Sequence, residues 1–464
     1  MLEIKKDIDM EEYGTKQKLN TFLYFAAIVV NLACFTCGSA FSWSSPVTPK
    51  LHNPSDNPLG IALTEEEISW LVALMSLGAS VGPFVGGYLA DKIGRKRTFI
   101  VSILPFILAY VLLAFGTNLY IYYVARFIKG TCVGLFLTIV PMYVGEIAEV
   151  HNRGILGCFT VFFVTIGALF SFTVGPYIPV KWFSLSCVVA PLIFLVIVVT
   201  LIPESPSYLI LRGKHEQAKR SLQRLRLGDI NEELLEITAI VKESSATKGG
   251  LMEILRTKYL FKALRLSIGL MVIQQATAIT VINYYMQSIF EKSGSNATPQ
   301  VSVIIVGSIQ VLGTFLSTLV VDRLGRRPLL LVSTIFTSLS LYILGLYFYL
   351  METKDLSIVS WLPIATLILY MLAYNLGIGP LAFAVMGEIY PPHVKSVASS
   401  ISVACCYFSS FIAAKLFPAL ESGIGGWSGF AFFAIGNSLG VVFIWFSMPE
   451  TKGKTLLEIL EHFK

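Results

Sequence analysis

Gly86-Gly87-Tyr88-Leu89-Ala90-Asp91-Lys92-Ile93-Gly94-Arg95-Lys96-Arg97 closes one long apolar run and leads straight into another. The same punctuation returns as Val320-Val321-Asp322-Arg323-Leu324-Gly325-Arg326-Arg327-Pro328, again between two apolar runs. In each copy a glycine separates an acid from a base, and glycine enters the left-handed backbone of a tight turn without steric cost. Two further pairs keep the same order. Gly145-Glu146-Ile147-Ala148-Glu149-Val150-His151-Asn152-Arg153-Gly154 matches Gly387-Glu388-Ile389-Tyr390-Pro391-Pro392-His393-Val394-Lys395-Ser396, and Pro203-Glu204-Ser205-Pro206-Ser207 matches Pro449-Glu450-Thr451-Lys452-Gly453-Lys454-Thr455. The offsets are 231, 242 and 246 residues. Three matched pairs in one order mark an internal duplication.

The segments between the motifs fix the fold class. A helix crossing a bilayer needs about 20 mostly apolar residues. Such runs begin near Asn20, Glu67, Thr98, Leu119, Gly154 and Ser184, and resume near Lys262, Pro299, Pro328, Trp361, Ser396 and Ser428. The expected fold is an all-α membrane protein, with twelve transmembrane helices in two duplicated six-helix bundles. The bundles span residues 20–203 and 262–448, flanked by tails at 1–19 and 449–464 and separated by a loop at 204–261. Within that loop Ala218, Leu222 and Leu225 recur at three- and four-residue steps, as do Leu234, Ile237 and Val241. This period predicts short amphipathic helices lying against the membrane face. The charged residues from Glu3 to Lys18 precede a long apolar run, so a cleavable signal peptide is not expected.

Composition agrees. Of 464 residues, 55% are hydrophobic and 14% charged, with mean hydropathy +0.71. The 35 basic and 29 acidic side chains compare with about 116 charges in a soluble chain of this length. A soluble enzyme, a disordered chain and a nucleic-acid binder are thereby disfavoured. Basic residues crowd the loops that share a side with the amino terminus, leaving only Lys50, Lys181, Lys292 and Lys354 for the other side. The asymmetry predicts a multi-pass protein of the cell membrane with both termini cytoplasmic. The sequon Asn296-Ala297-Thr298 then falls outside, where Asn296 could be glycosylated. All seven cysteines lie in apolar segments and read as small buried hydrophobes, and neither a metal nor a cofactor is expected. No phosphate-binding loop or nucleophile elbow argues for an enzyme.

Two features mark a path through the bundles. On the seventh span Thr277, Thr280, Tyr284 and Gln287 recur at helical spacing, Gln274 leads into the same face, and Gln275 and Asn283 lie beside it. Polar stripes inside membranes are costly unless they face a path or a partner helix. Amides and hydroxyls suit the hydroxyls of a neutral sugar. On the tenth span Gly377-Ile378-Gly379-Pro380 loosens the helix and predicts a hinge.

The motif set resembles the sugar-porter branch of the major facilitator superfamily, over essentially the whole chain. It is most similar to insect facilitated trehalose transporters and facilitative hexose transporters. The resemblance implies facilitative transport of a sugar, trehalose or a hexose, by alternating access, in a protein functional as a monomer. It implies a gate built from Asp91, Arg95, Glu146, Arg153 and Glu204, with their repeats Asp322, Arg326, Glu388, Lys395 and Glu450, in which partners from both halves clip the inner ends together. It also implies cargo contacts by Gln274, Gln275, Thr280, Asn283, Gln310, Asn375, Phe383, Cys406 and Tyr407.

Several of these positions depart from the sugar-porter pattern. Gln-Gln-x-Ser-Gly-x-Asn becomes Gln274-Gln275-Ala276-Thr277-Ala278-Ile279-Thr280, the fifth-span glutamine of hexose porters is Val161, and the tenth-span Pro-x-Pro-Trp is Pro380-Leu381-Ala382-Phe383. The eleventh-span Asn-Trp is Cys406-Tyr407, while Gln310 keeps an amide on the eighth span. The expected pocket is thus poorer in hydrogen-bonding groups than a glucose site, which leaves another small neutral solute, or a transport-derived nutrient sensor, as the alternative. Ala40 stands where proton-coupled members carry an acid, which favours uniport. Arg126, Lys129 and Lys415 read as buried cations; Arg126 and Lys415 have counterparts in the pattern, and Lys129, one turn from Arg126, is less usual.

Overall fold

The computed structural model describes residues 20–55, 57–149, 151–246, 250–295, 297–452, 454, 458–459 and 461. Among these, every regular element is a helix. Twelve are long and apolar enough to cross a membrane: spans 1–6 at Thr21–His52, Glu65–Ile93, Arg95–Phe115, Leu119–Ile147, Gly154–Val174 and Val180–Thr200, and spans 7–12 at Lys258–Lys292, Pro299–Val320, Arg326–Met351, Ser357–Ile389, His393–Gly423 and Ser428–Ser447. Each begins within four residues of its expected start. Local chemistry explains the sharp starts. Thr64 and Glu67 form a reciprocal capping box ahead of span 2, and the side chains of Asn20 and Asn118 cap spans 1 and 4.

Close helix packing rests on glycine. A Cβ on Gly78 or Gly82 of span 2 would lie 2.2 or 2.5 Å from the Phe127 or Thr131 carbonyl oxygen of span 4. From the other side, one on Gly130 or Gly134 would lie 2.0 or 2.2 Å from the Met75 or Ala79 oxygen. Spans 1 and 5 meet the same way at Gly38 and Gly167. Where no water drives helices together, such backbone approach supplies the van der Waals contact that holds them.

The 204–261 loop folds as expected into short helices, Pro206–Leu211, His215–Leu225, Asn231–Ala246 and Leu251–Arg256. Leu234, Ile237 and Val241 pack on a small core of Tyr208, Leu209, Ile210 and Ala218. Arg226 docks this unit on the first bundle, bonding Glu233 (2.6 Å) and the Ile147 carbonyl (2.9 Å), while Asn20 donates to the Leu225 carbonyl. The bundles meet along spans 2 and 11 and spans 5 and 8, and where the end of span 1 packs on the second half of span 7. That last contact lies at the face remote from the duplicated motifs. There the Gln287 N–H donates to Ser45 Oγ (3.1 Å), and Lys415 stands 3.9 Å from Glu66.

Candidate functional site

The three duplicated motifs of each half converge on one cluster. Span 2 ends at Ile93 and span 3 starts at Arg95, so Gly94, at φ +96°, makes the whole turn. A Cβ here would also lie 2.4 Å from Glu204 Oε2. Glu204 accepts from the backbone N–H groups of Arg95 (2.9 Å) and Lys96 (3.1 Å), placing a carboxylate on the N-terminus of span 3, where the helix dipole favours it. The Arg95 side chain reaches span 4, with Nη2 2.7 Å from Glu146 Oε1 and Nη1 donating to the Ala90 carbonyl. Asp91 is peripheral, 3.8 Å from Arg95 with its side chain largely exposed.

The second half repeats this geometry. Gly325 turns at φ +87°. Glu450 accepts from the N–H groups of Arg326 (2.9 Å) and Arg327 (3.1 Å), and Arg326 Nη2 stands 3.3 Å from Glu388 Oε1. Burial pushes the Glu450 carboxyl up, but the N–H donors of Lys452, Arg326, Arg327 and Thr451 outweigh it and hold it below the usual carboxylate range. Lys395 Nζ donates to the Gly387 carbonyl (2.7 Å) near the end of span 10. The side chains of Arg153 and Asp322, and Asn296 altogether, lie outside the described residues.

One expectation changes. In this conformation the described Arg–Glu pairs do not bridge the halves: Arg95–Glu146 and Arg326–Glu388 each tie spans of one bundle. The reason is geometric, because each arginine starts the helix that its own half's glutamate caps, beside its own fourth or tenth span.

The seventh span is likewise not one continuous stripe. It breaks between Ala276 and Ile279, with Ala278 left-handed at φ +66°. The break turns Thr277 away from Thr280: Thr277 Oγ1 donates to the Gln274 carbonyl (2.6 Å), and Tyr370 of span 10 donates to the Thr277 carbonyl (2.7 Å). A Cβ in the left-handed region costs roughly 1–2 kcal/mol. Ala278→Gly is therefore expected to raise thermal stability by about 1 kcal/mol, measured as the unfolding midpoint in detergent. An unchanged or lowered midpoint would contradict strain at this turn. Span 10 breaks at Gly377, between Leu376 and Ile378. Ser333 of span 9 repairs the gap, donating to the Ala373 carbonyl (2.7 Å) and accepting from the Ile378 N–H (2.9 Å). A Cβ on Gly377 would lie 2.2 Å from that serine, and one on Gly379 would lie 2.8 Å from the Tyr374 ring. Pro380 follows in the first turn of the resumed helix.

Between the breaks runs a neutral hydrogen-bond chain. Gln274 Nε2 donates to the Gly379 carbonyl (2.8 Å), and its Oε1 accepts from Cys406 Sγ (3.4 Å). Gln275 Nε2 donates to the same sulfur (3.2 Å), while Thr280 donates to Gln275 Oε1 (2.6 Å) and accepts from Ser410 (3.0 Å). Ser76 of span 2 completes the chain across the interface, 2.8 Å from Ser410 and 2.9 Å from the Tyr284 hydroxyl. A ring stack runs parallel, with Phe41 of span 1 lying between Tyr284 (6.4 Å) and Tyr407 (6.1 Å). Ser76, Ser410 and Phe41 were not singled out by sequence.

The amide oxygens of Asn283 and Gln310 are buried without a hydrogen-bond partner, as is that of Gln287 at the remote face, whose Nε2 donates to Glu291 Oε1 (3.0 Å). Phe383 is 37% exposed on the resumed part of span 10. Asn375 differs: Thr314 donates to its Oδ1 (3.2 Å), and its Nδ2 donates to the Met371 carbonyl (2.8 Å), so its amide is spent on holding span 8 to span 10.

Of the cations, Lys415 lies at the remote face beside Glu66 and over the Trp70 ring (4.4 Å), not deep in a bundle. Arg126 and Lys129 are fully buried. Arg126 donates to the Leu71 (3.1 Å), Ala40 (3.2 Å) and Val72 (3.4 Å) carbonyls, so it meets the backbone of the residue where an acid was expected to be missing. Lys129 Nζ lies over the rings of Tyr110 (4.2 Å) and Trp43 (4.8 Å) and makes no hydrogen bond. Two such rings offer about 2 kcal/mol each when desolvated, against several kcal/mol for burying the charge.

Two six-span bundles around a neutral polar network, each with an ionic cluster at one end, define a membrane transporter of the major facilitator fold. The chain belongs to the sugar (and other) transporter family, which matches residues 14–463. Relatives include the facilitated trehalose transporter Tret1 of Apis mellifera ligustica, 34% identical over 96% of this chain and 88% of that one. That of Bombyx mori is 33% identical over 99% and 91%. Among solved structures, the xylose transporter XylE from E. coli, in a partially occluded inward-open conformation, superposes with a TM-score of 0.79 at 24% identity, covering 94% of this chain and all of the other.

Proposed function

We propose that this protein is a facilitative uniporter for a small neutral sugar, trehalose or a hexose, working by alternating access between its two bundles. The observation that carries the reading is the uncharged hydrogen-bond chain from Gln274 to Ser76 across the bundle interface, together with the buried, partnerless amide oxygens of Asn283 and Gln310. A buried acceptor without a donor costs about 1–3 kcal/mol. Sugar hydroxyls supply donors and need no charged partner. The relatives named as trehalose transporters support the same class of cargo.

Gln274, Gln275, Thr280, Asn283 and Gln310 are the proposed cargo contacts, with Cys406, Tyr407 and Phe383 shaping the pocket. Ser76 joins them from the other half, and Asn375 is reassigned to helix packing. Uniport follows from charge: the acids of the spans lie at span ends, and Arg126 meets carbonyls and the rings of Trp43 and Tyr284 where a proton-carrying acid would stand. The motif-bearing face and both termini are placed in the cytoplasm by the basic loops, in a cell-membrane protein acting as a monomer. The ionic clusters hold each bundle's inner end rigid, and the break at Gly377 absorbs the rocking motion.

Uptake of labelled trehalose, glucose and a polyol panel in transporter-deficient cells tests the reading. Saturable uptake of at least one sugar is expected, lost in Gln275→Ala. Transport of none, with normal surface expression, would overturn it.

A further inference from the structure

We propose that Lys129 centres a buried site for a small monovalent anion, chloride, inside the first bundle. Arg126 and Lys129 stand one turn apart on span 4, both fully buried. The carboxylates on the spans of this bundle are engaged elsewhere or exposed. Glu65 lies 3.7 Å from His52, Glu66 is exposed beside Lys415, Glu67 caps span 2, Asp91 is exposed, and Glu146 holds Arg95. Arg126 is satisfied by three carbonyls, whereas the Lys129 ammonium is not satisfied at all.

The surroundings select the ligand. Spans 1, 3, 4 and 6 close over the amine with Trp43, Ser39, Tyr110, Ser184 and Cys187. Trp43 Nε1 donates to Ser184 Oγ (3.1 Å), which leaves the serine proton free to donate, and Tyr110 and Ser39 bond each other (3.1 Å). The donors left unmatched are the three ammonium protons, beside a Ser184 hydroxyl whose oxygen already accepts. A spherical anion accepts from all of them, has no proton of its own to satisfy, and offsets the double positive charge. With both cations fully buried, an ion of atomic size fits better than a polyatomic oxyanion or an organic acid. Arg126 also lies over the ring of Tyr284 (6.0 Å), which belongs to the chain of Gln274 to Ser76, but the proposal does not depend on the cargo assignment.

The test uses the full-length protein in detergent, exchanged from sodium gluconate into sodium chloride at constant ionic strength. Chloride is expected to raise the unfolding temperature saturably, by about 3 °C or more, and Lys129→Met to abolish the response. Bromide soaked into crystals of the unaltered protein is expected to give an anomalous peak beside Lys129 Nζ, which decides the matter even if the variant does not fold. No chloride response in the unaltered protein, an equal response in Lys129→Met, or no bromide peak would each overturn the proposal and leave Lys129 as a neutral amine.

Discussion

Arg95→Ala, and separately Glu146→Ala, is expected to abolish sugar uptake while leaving sugar binding measurable. The pair is short (2.7 Å), and both side chains are largely buried, at 6% and 17% exposure. Removing one partner of such a pair strands the other charge, at a cost of about 3–5 kcal/mol. Each 1.4 kcal/mol is a factor of ten in an equilibrium, so the intact inner end of the first bundle, on which the proposed rocking depends, would be disfavoured by more than a hundredfold. The proposed binding groups lie elsewhere, between Gln274 and Ser76, and their hydrogen bonds do not involve Arg95 or Glu146. Binding should therefore survive when turnover does not. Equal loss of both would place the pair in folding rather than in gating, and normal uptake in either variant would remove it from the gate.

Gly130→Ala is expected to prevent accumulation of folded protein. The added Cβ would lie 2.0 Å from the Met75 carbonyl oxygen and 2.8 Å from its carbon, and neither can rotate away because both belong to the backbone of span 2. Spans 2 and 4 would have to separate, exceeding the usual overpacking cost of about 1–3 kcal/mol, and Gly134 and Gly78 would lose their contacts with them. Gly157→Ala, where nothing lies within 4 Å, is the matched control and should behave as the unaltered protein. Size-exclusion profiles of the two variants, with unfolding midpoints for whatever is recovered, give the comparison. A Gly130→Ala protein that elutes and melts like its parent would show that the helices tolerate a wider crossing.

What could be read from sequence was what the backbone demands. The apolar runs marked twelve spans because a helix satisfies its own backbone polar groups and about 20 apolar residues carry it across a bilayer. Gly94 and Gly325 marked turns because each takes a positive φ, which glycine enters without steric cost. The duplicated acids and bases marked the two clusters, since their order survives in both halves. Which of them would touch was less visible. Glu204 and Glu450 act on backbone N–H groups, and Arg95 and Arg326 reach within their own bundles, which follows from helix-end geometry rather than from spacing.

The serines of the central chain were invisible for a different reason. Hydroxyls in membrane helices commonly bond their own preceding turn, as Thr131, Thr138 and Thr173 do here. Ser76 and Ser410 look identical in sequence until spans 2, 7 and 11 are brought together. The polar stripe of span 7 misled at one residue, Thr277, because Ala278 takes a conformation that alanine rarely adopts and interrupts the helical count. Asn375 misled because an amide inside a membrane reads the same whether it faces a cargo or a neighbouring helix.

The most direct test of facilitative sugar transport is tracer flux into proteoliposomes holding the purified protein, with labelled trehalose or glucose outside and an imposed inward proton gradient. The predicted result is saturable entry that stops at equal concentration inside and out, at the same level with and without the gradient. Accumulation above that level driven by protons, or no flux of either sugar, would contradict it.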